Sequence, residues 1–235
     1  MRLAALRKKN WLILHDVDSL CDVPGTHQMD PDLFTSDYWR ERGLIVGEAP
    51  GRGNSLFLQA TPKEQWALRA YRRGGMVAKI SEKRYLWAGA ERTRAFRELR
   101  LTSALFEQGL PVPRPVASCV TRYGFCYEAA IITVRIEGAQ ALAERLIKDS
   151  VNETLLQQVG LMIKRFHQVG LDHVDLNARN ILVDSSDTPW LIDFDRCRLR
   201  APGKWKANNL DRLARSLEKL KVGSAIHSIK TGYTN

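Results

Sequence analysis

Cysteine is scarce and unpatterned in this 235-residue sequence. Cys21, Cys119, Cys126 and Cys197 form no CxxC pair and no spacing that groups with histidines, so neither a zinc site nor a disulfide framework is expected, and a reduced, cytosolic setting fits. Long apolar runs are missing as well. The nearest approach to a targeting signal is Trp11 to Leu14 within MRLAALRKKNWLILHDVD. A signal peptide needs a longer apolar region and a small-residue cleavage site, and a spanning helix needs roughly 20 apolar residues. The chain is therefore read as soluble or peripheral, never spanning. Internal repeats and low-complexity tracts are absent. Carboxylates are in deficit, with 26 Asp and Glu against 36 Lys and Arg for a net charge of +10, so the surface should attract something anionic. Charge alone does not choose among nucleotide, phospholipid and nucleic acid. No zinc finger, RRM-type aromatic motif or basic-region heptad accompanies it, and no nucleic acid is expected as a partner.

What is present is a legible order of elements. The first third carries short β-type runs broken by glycine and proline, among them Ser55 to Gln59 and WALRAYRR from Trp66 to Arg73. From Glu91 to Gln108, the sequence sets Ala95, Phe96, Leu99, Leu101, Leu105 and Phe106 close to one helical stripe, with Gly109 as the stop. LPVPRPVA must then run extended, a β-type run spans Tyr127 to Ile136, and a second long helix is expected from Asn152 to Gln168, closed by Gly170. Ile181 to Val183 and Trp190 to Ile192 flank the turn Asp184 to Pro189 as a hairpin. A last basic helix, roughly Asn208 to Lys221, carries Leu210, Leu213, Leu217 and Leu220 on one face. That face suits core packing or a membrane surface, and the tail beyond Gly223 is expected to be loose.

The chemistry concentrates in HVDLNARNILVD, His173 to Asp184. Asp175 is followed five residues later by Asn180 and then an apolar strand. A carboxylate in a tight loop can accept the proton of an attacking hydroxyl, and an amide oxygen a turn further on can ligate a magnesium ion bridging phosphates. Thirteen residues past Asn180, a second short strand delivers Asp193, whose carboxylate would complete the metal site. An isolated HxD is ordinary turn chemistry. HxDLxxxN followed by a hairpin and an apolar-flanked aspartate matches the kinase catalytic loop and metal-binding segment in residue type, order and spacing.

Beyond that loop, the blocks WALRAYRRGGMVAKI, ERTRAFREL, GLPVPRPVA, RFHQVGLDHVDLNARNILVD, WLIDFDRCRLR and WKANNLDRLARSLEKLK follow one another from about Gly51 to Lys221. With them the chain resembles the 3-deoxy-D-manno-octulosonic acid (Kdo) kinase family, lipopolysaccharide-core sugar kinases of Gram-negative bacteria. The resemblance implies an α+β, two-lobed protein-kinase-like fold: a β-rich N-lobe with a helix over residues 1–135, a reduced helical C-lobe over residues 136–235, and nucleotide between them. It implies ATP and Mg2+ as cofactors and phosphorylation of the 4-hydroxyl of Kdo on a lipid A precursor. The enzyme would be peripheral, on an anionic membrane at the cytoplasmic face of the inner membrane, with no obligate protein partner. Carried over residue by residue, Asp175 would be the base, Asn180 and Asp193 the metal ligands, and His173 a brace for the loop. Gly51 and Gly53 of GRGNSLF would let backbone amides approach phosphate oxygens, although a GxG alone is an ordinary turn.

Two positions depart from the pattern. The cation for the phosphates falls on Arg69 instead of a lysine, with Lys79 as rival; its helix carboxylate is Glu98, or Glu91 nearer the helix start. The metal triplet reads Asp193, Phe194, Asp195 without glycine, which restricts the backbone and suggests a constitutively assembled site. His167 is read as packing at a helix end. A peptide acceptor does not fit, because 42 residues after Asp193 leave no room for an activation segment and the large helical subdomain. Another envelope sugar or small molecule, or a non-catalytic kinase-fold binder, remains as the alternative. Arg72, Arg73, Arg179, Arg196, Arg198, Arg200, Lys204 and Lys206 are the basic candidates for acceptor contact.

Overall fold

Alternation of apolar and polar side chains begins at once, and the N-terminal segment that most resembled a leader is a β-hairpin. Its strands are β1 (Leu3–Lys8) and β2 (Trp11–Asp16), paired antiparallel from Leu3↔Asp16 to Lys8↔Trp11. The computed structural model describes residues 1–20, 29–49, 55–71 and 85–235. Among these, β3 (Ile45–Glu48), β4 (Leu56–Thr61), β5 (Glu64–Ala70), β6 (Tyr85–Leu86), β7 (Pro115–Tyr123) and β8 (Cys126–Val134) complete one sheet in the order β1-β2-β7-β8-β5-β4-β3, with β6 also on β8. Every pairing is antiparallel.

Neighbouring residues on a strand point to opposite faces, so Ile13 and Leu14 of β2 enter different cores. Ile13 joins Leu58, Trp66 and Ile132 under Trp39 of the short helix α1 (Ser36–Glu41), with Trp39 edge-on to Trp66 at 6.1 Å. Leu14 joins Val120 and Ile131 beneath Ala95, Phe96 and Leu99 of α2 (Arg94–Glu107). Gly109, the expected stop, follows that helix at φ +69°.

The chain divides into two compact units, residues 1–103 with 114–135 and residues 104–113 with 136–235. The second contains β9 (Gln140–Ala141), α3 (Leu142–Ile147), α4 (Glu153–Gln168), β10 (Leu171–Asp172), β11 (Ile181–Val183), β12 (Pro189–Leu191), β13 (Arg198–Leu199), α5 (Trp205–Lys219) and α6 (Ala225–Thr234). Asn152 caps α4, accepting the Leu155 N–H at 2.8 Å. Gly170 ends it at φ +86°, where a Cβ would lie 2.6 Å from the Arg200 carbonyl oxygen. This close approach lets β10 and β13 pair directly after the helix.

One expectation is corrected. The residues after Gly223 form α6 instead of a loose tail. It is anchored by a glycine contact with α4 that a periodicity search does not detect: a Cβ at Gly160 would sit 2.0 Å from the Ile229 carbonyl oxygen, and one at Gly232 2.0 Å from that of Gln157. Of the two readings of the α5 leucine face, core packing is the one observed, with Leu213 and Leu217 fully buried. No helix among the described residues is long and apolar enough to cross a membrane. Between α4, α5 and α6, His167 Nδ1 meets the Tyr233 hydroxyl at 2.8 Å and its ring lies edge-on to Trp205 at 5.2 Å. Burial lowers its pKa to about 4.

Replacing Gly160 or Gly232 by Ala should force the helices apart and cost about 1–3 kcal/mol, read as a fall in midpoint on thermal unfolding. An unchanged midpoint would mean the two backbones are not in contact. His167 is held neutral in the fold and regains its ordinary affinity for protons on unfolding. Its contribution, on the order of 3 kcal/mol, should be complete above the unfolded pKa near 6.5 and be lost as pH falls from there towards 4. Urea titrations across that window should show a shallower acid limb for His167→Gln than for the wild type.

Candidate active site

The hairpin β11–β12 and the loop before it form the chemical end of the second unit. From His173 to Asn180 the chain folds on its own polar groups. The Asp175 carbonyl accepts N–H from the side-chain amides of Asn177 and Asn180, both at 2.9 Å. Asn177 Oδ1 in turn accepts the backbone N–H of Arg179 at 2.9 Å and of Asn180 at 3.2 Å. Leu176 and Ala178, which follow it, are buried, whereas Asp175 is exposed. The loop satisfies its main chain with its own side chains and does not draw on the Asp175 carboxylate to do so.

Asn180 spends its amide nitrogen on Asp175, so its oxygen is the end left for a cation. The Ile192 N–H donates to the Asn180 carbonyl at 3.0 Å, continuing the register Ile181↔Leu191 by one step, and Asp193 follows this bond by one residue. Asp193 takes φ +64° and Arg196 φ +62°, a left-handed region that aspartate tolerates better than most side chains. The Asp193–Phe194–Asp195 turn thus obtains its curvature without glycine. Phe194 is buried and packs edge-on against His173 at 5.6 Å and near Phe166 at 6.4 Å.

His173 holds the two segments together. Its Nε2 donates to the Ile192 carbonyl at 3.1 Å and its backbone N–H donates to Asn209 Oδ1 at 3.0 Å. Burial pushes its pKa down, so the ring is neutral, and its Nδ1 is buried with no hydrogen-bond partner among the described residues. These properties suit a brace and not a proton carrier.

Sequence reasoning missed the residues beneath this loop. Asp172 is buried; its Oδ1 accepts from Asn209 Nδ2 at 3.0 Å and its Oδ2 from Arg200 Nη1 at 2.9 Å. Arg200 was a candidate for acceptor contact and is instead committed to this carboxylate, with Arg198 Nε 4.0 Å from the same oxygen. The Ser216 hydroxyl accepts the Ala178 N–H at 3.2 Å. A signal existed: Asn209 precedes Leu213 and Leu217 at four-residue steps, so an amide stands on the inward face of α5, and a buried amide needs partners.

The first unit holds the expected cation and carboxylate. Arg69 on β5 pairs through Nη2 with Oε1 of Glu98 on α2 at 2.5 Å, and the Tyr71 hydroxyl donates to the other oxygen of Glu98. Glu98 is 5% exposed, whereas Glu91 forms a surface pair with Arg100 that lowers its pKa. Of the two helix carboxylates, Glu98 is therefore the one joined to Arg69. Gly51, Gly53, Arg72, Arg73 and Lys79 lie outside the described residues. Among the described residues no three His, Cys, Asp or Glu side chains cluster as a metal site. The donors at the hairpin end are one amide oxygen and one carboxylate, hard oxygen ligands of the kind a magnesium ion takes alongside water and phosphate oxygens.

A family model described as the lipopolysaccharide kinase (Kdo/WaaP) family matches residues 36–233. A 3-deoxy-D-manno-octulosonic acid kinase of Xylella fastidiosa (strain M12) is 46% identical over 211 residues, 89% of this chain and 84% of that protein. Its counterpart in Stenotrophomonas maltophilia (strain R551-3) is 46% identical over 215 residues, 91% of this chain and 85% of that protein. One from Vibrio vulnificus (strain YJ016) is 43% identical over 208 residues, 86% and 88% of the two chains. An α+β kinase-like fold, a catalytic-type loop that presents one carboxylate, and these similarities across most of the sequence lead to one conclusion: the chain is a kinase and belongs to the lipopolysaccharide kinase (Kdo/WaaP) family.

Proposed function

We propose that the chain transfers the γ-phosphoryl group of ATP to the 4-hydroxyl of Kdo on a lipid A precursor, working as a peripheral protein at the cytoplasmic face of the inner membrane. The observation that carries this is the loop from His173 to Asn180, which leaves Asp175 exposed while satisfying its own backbone, in a chain whose relatives are named Kdo kinases. Asp175 orients the acceptor hydroxyl and takes its proton as the new oxygen–phosphorus bond forms and the bond to the β-phosphate oxygen breaks, releasing ADP. Asn180 and Asp193 would hold magnesium, whose charge offsets that of the phosphates. His173 keeps the two segments in register. In the first unit, Arg69 steadies the nucleotide phosphates, with Glu98 and Tyr71 fixing the guanidinium. The net charge of +10 supports an acidic, lipid-borne acceptor.

Radiolabel transfer from ATP to a purified Kdo-bearing lipid A precursor tests the reaction, and NMR of the product tests the position. Label on a different hydroxyl would remove the 4-position assignment; label on no Kdo-bearing lipid would remove the acceptor. Asp175→Ala should lower turnover by roughly 10²–10⁴-fold while leaving nucleotide affinity nearly unchanged. Full activity in that variant would mean that Asp175 is not the base. Arg69→Ala should instead raise the KM for ATP by at least about tenfold, and Glu98→Gln should move it in the same direction by less, because the guanidinium loses its charged partner. An unaltered KM in both would take the phosphates away from Arg69.

A further inference from the structure

One end of the large sheet carries a combination that catalysis does not use. At that end the turn of the β1–β2 hairpin lies beside the turn of β7–β8: the Arg122 N–H donates to the Asn10 carbonyl at 2.8 Å, and β6 closes the row on the other side. Tyr123, Cys126 and Leu86 stand directly opposite one another on three adjacent strands and so share one face. Phe125 sits in the two-residue turn after Gly124, whose φ of +59° already makes the turn, so nothing in the backbone requires an aromatic residue there. Phe125 is 86% exposed and Leu86 75%, the two most exposed large apolar side chains among the described residues, and Tyr123 adds 43%. Leaving such a cluster in water is unfavourable unless something covers it.

The same end is basic. Arg7, Lys8 and Lys9 are exposed, and Arg122 lies over the Trp87 ring at 5.2 Å. None of these four has an ion-pair partner among the described residues, although Arg2, Arg40, Arg100 and Arg145 all do. Arg7, Lys9, Asn10, Trp87 and Arg122 line an open depression of about 530 Å³ beside Gly124. Cations without acidic partners and an amide around a hollow on one face of this sheet end, with exposed apolar side chains on its turn and its other face, are together complementary to a phosphodiester headgroup above acyl chains.

We infer that this end of the sheet is the membrane-contact surface of the protein: Phe125 and Leu86 enter the boundary between headgroups and acyl chains of an anionic phospholipid leaflet, and Arg7, Lys9 and Arg122 engage its phosphates. The surface uses no residue of the leucine face of α5, which is spent in the core, and none of the catalytic loop. It deepens the proposed action on a lipid-borne acceptor and rests on that proposal for its purpose, but its test contains neither acceptor nor nucleotide.

The full chain is sedimented with vesicles of phosphatidylcholine alone and with phosphatidylglycerol-rich vesicles. The wild type should sediment with the anionic vesicles, weakly or not at all with the neutral ones, and less as salt rises. Leu86→Ser combined with Phe125→Ser should weaken binding at least about tenfold. Arg7→Ala combined with Lys9→Ala should weaken it roughly fivefold for each cation removed. All four positions are exposed, so thermal midpoints should match the wild type. Failure of the wild type to bind anionic vesicles, equal binding to neutral ones, or undiminished binding by both double variants would overturn the assignment. Binding that instead disappears on replacing Arg212 and Arg215 of α5 would also overturn it, by placing the contact elsewhere. Because the vesicles hold no Kdo, loss of the acceptor hypothesis leaves these outcomes intact, and phosphoryl transfer to a delipidated acceptor by the double variants reports on the chemistry separately.

Discussion

The buried carboxylate of Asp172 is the interaction on which the active loop depends. A charge removed from water is tolerated only when it is paired and hydrogen-bonded, and Asp172 receives both kinds of partner, an amide from α5 and a guanidinium from the end of β13. Hydrogen bonds to a charged group contribute about 1.5–3 kcal/mol each, and losing one partner of a buried pair costs more because the other is stranded. The bonds also fix geometry. Asn209, held by Asp172, presents its oxygen to the His173 N–H, and His173 reaches across to the carbonyl before Asp193. A chain of three polar contacts thus runs from buried Asp172 to the residue before Asp193.

Around this line the second unit divides its residues by task. Apolar side chains on each side of the loop, Leu176, Ala178 and Phe194, fix its depth, and the asparagines Asn177 and Asn180 satisfy its backbone. Together they hold the loop in the shape that leaves Asp175 exposed. In the first unit a similar rule holds for Arg69, whose guanidinium is fixed by a nearly buried glutamate that also takes the Tyr71 hydroxyl. Arginine at this position keeps a carboxylate partner even though its shape differs from that of lysine.

Much of the local structure was readable because its causes are local. Helix α4 begins at an asparagine cap and ends near a glycine, and both marks stand in the sequence. The hairpin β11–β12 follows from two apolar triplets about an Asp- and Ser-rich turn. Helix α6 was not readable, because Gly160 and Gly232 signal flexibility in isolation and close contact only as a pair. The first hairpin was obscured for a related reason: basic residues next to a short apolar run look like a leader until a neighbouring strand, β7, is there to pair with it.

The sequence by itself determined the order of the kinase-type loop. His173, Asp175, Asn180 and Asp193 stand at the spacing of a kinase catalytic loop and metal-binding segment, a pattern that depends on side-chain type and on short stretches of chain. Tertiary structure alone decided which charges are spent and which are free. Arg200 and Arg122 are indistinguishable as letters, but one is drawn to a buried carboxylate and the other, at an open sheet end, has no acidic partner among the described residues, since pairing depends on contacts between residues far apart in the chain.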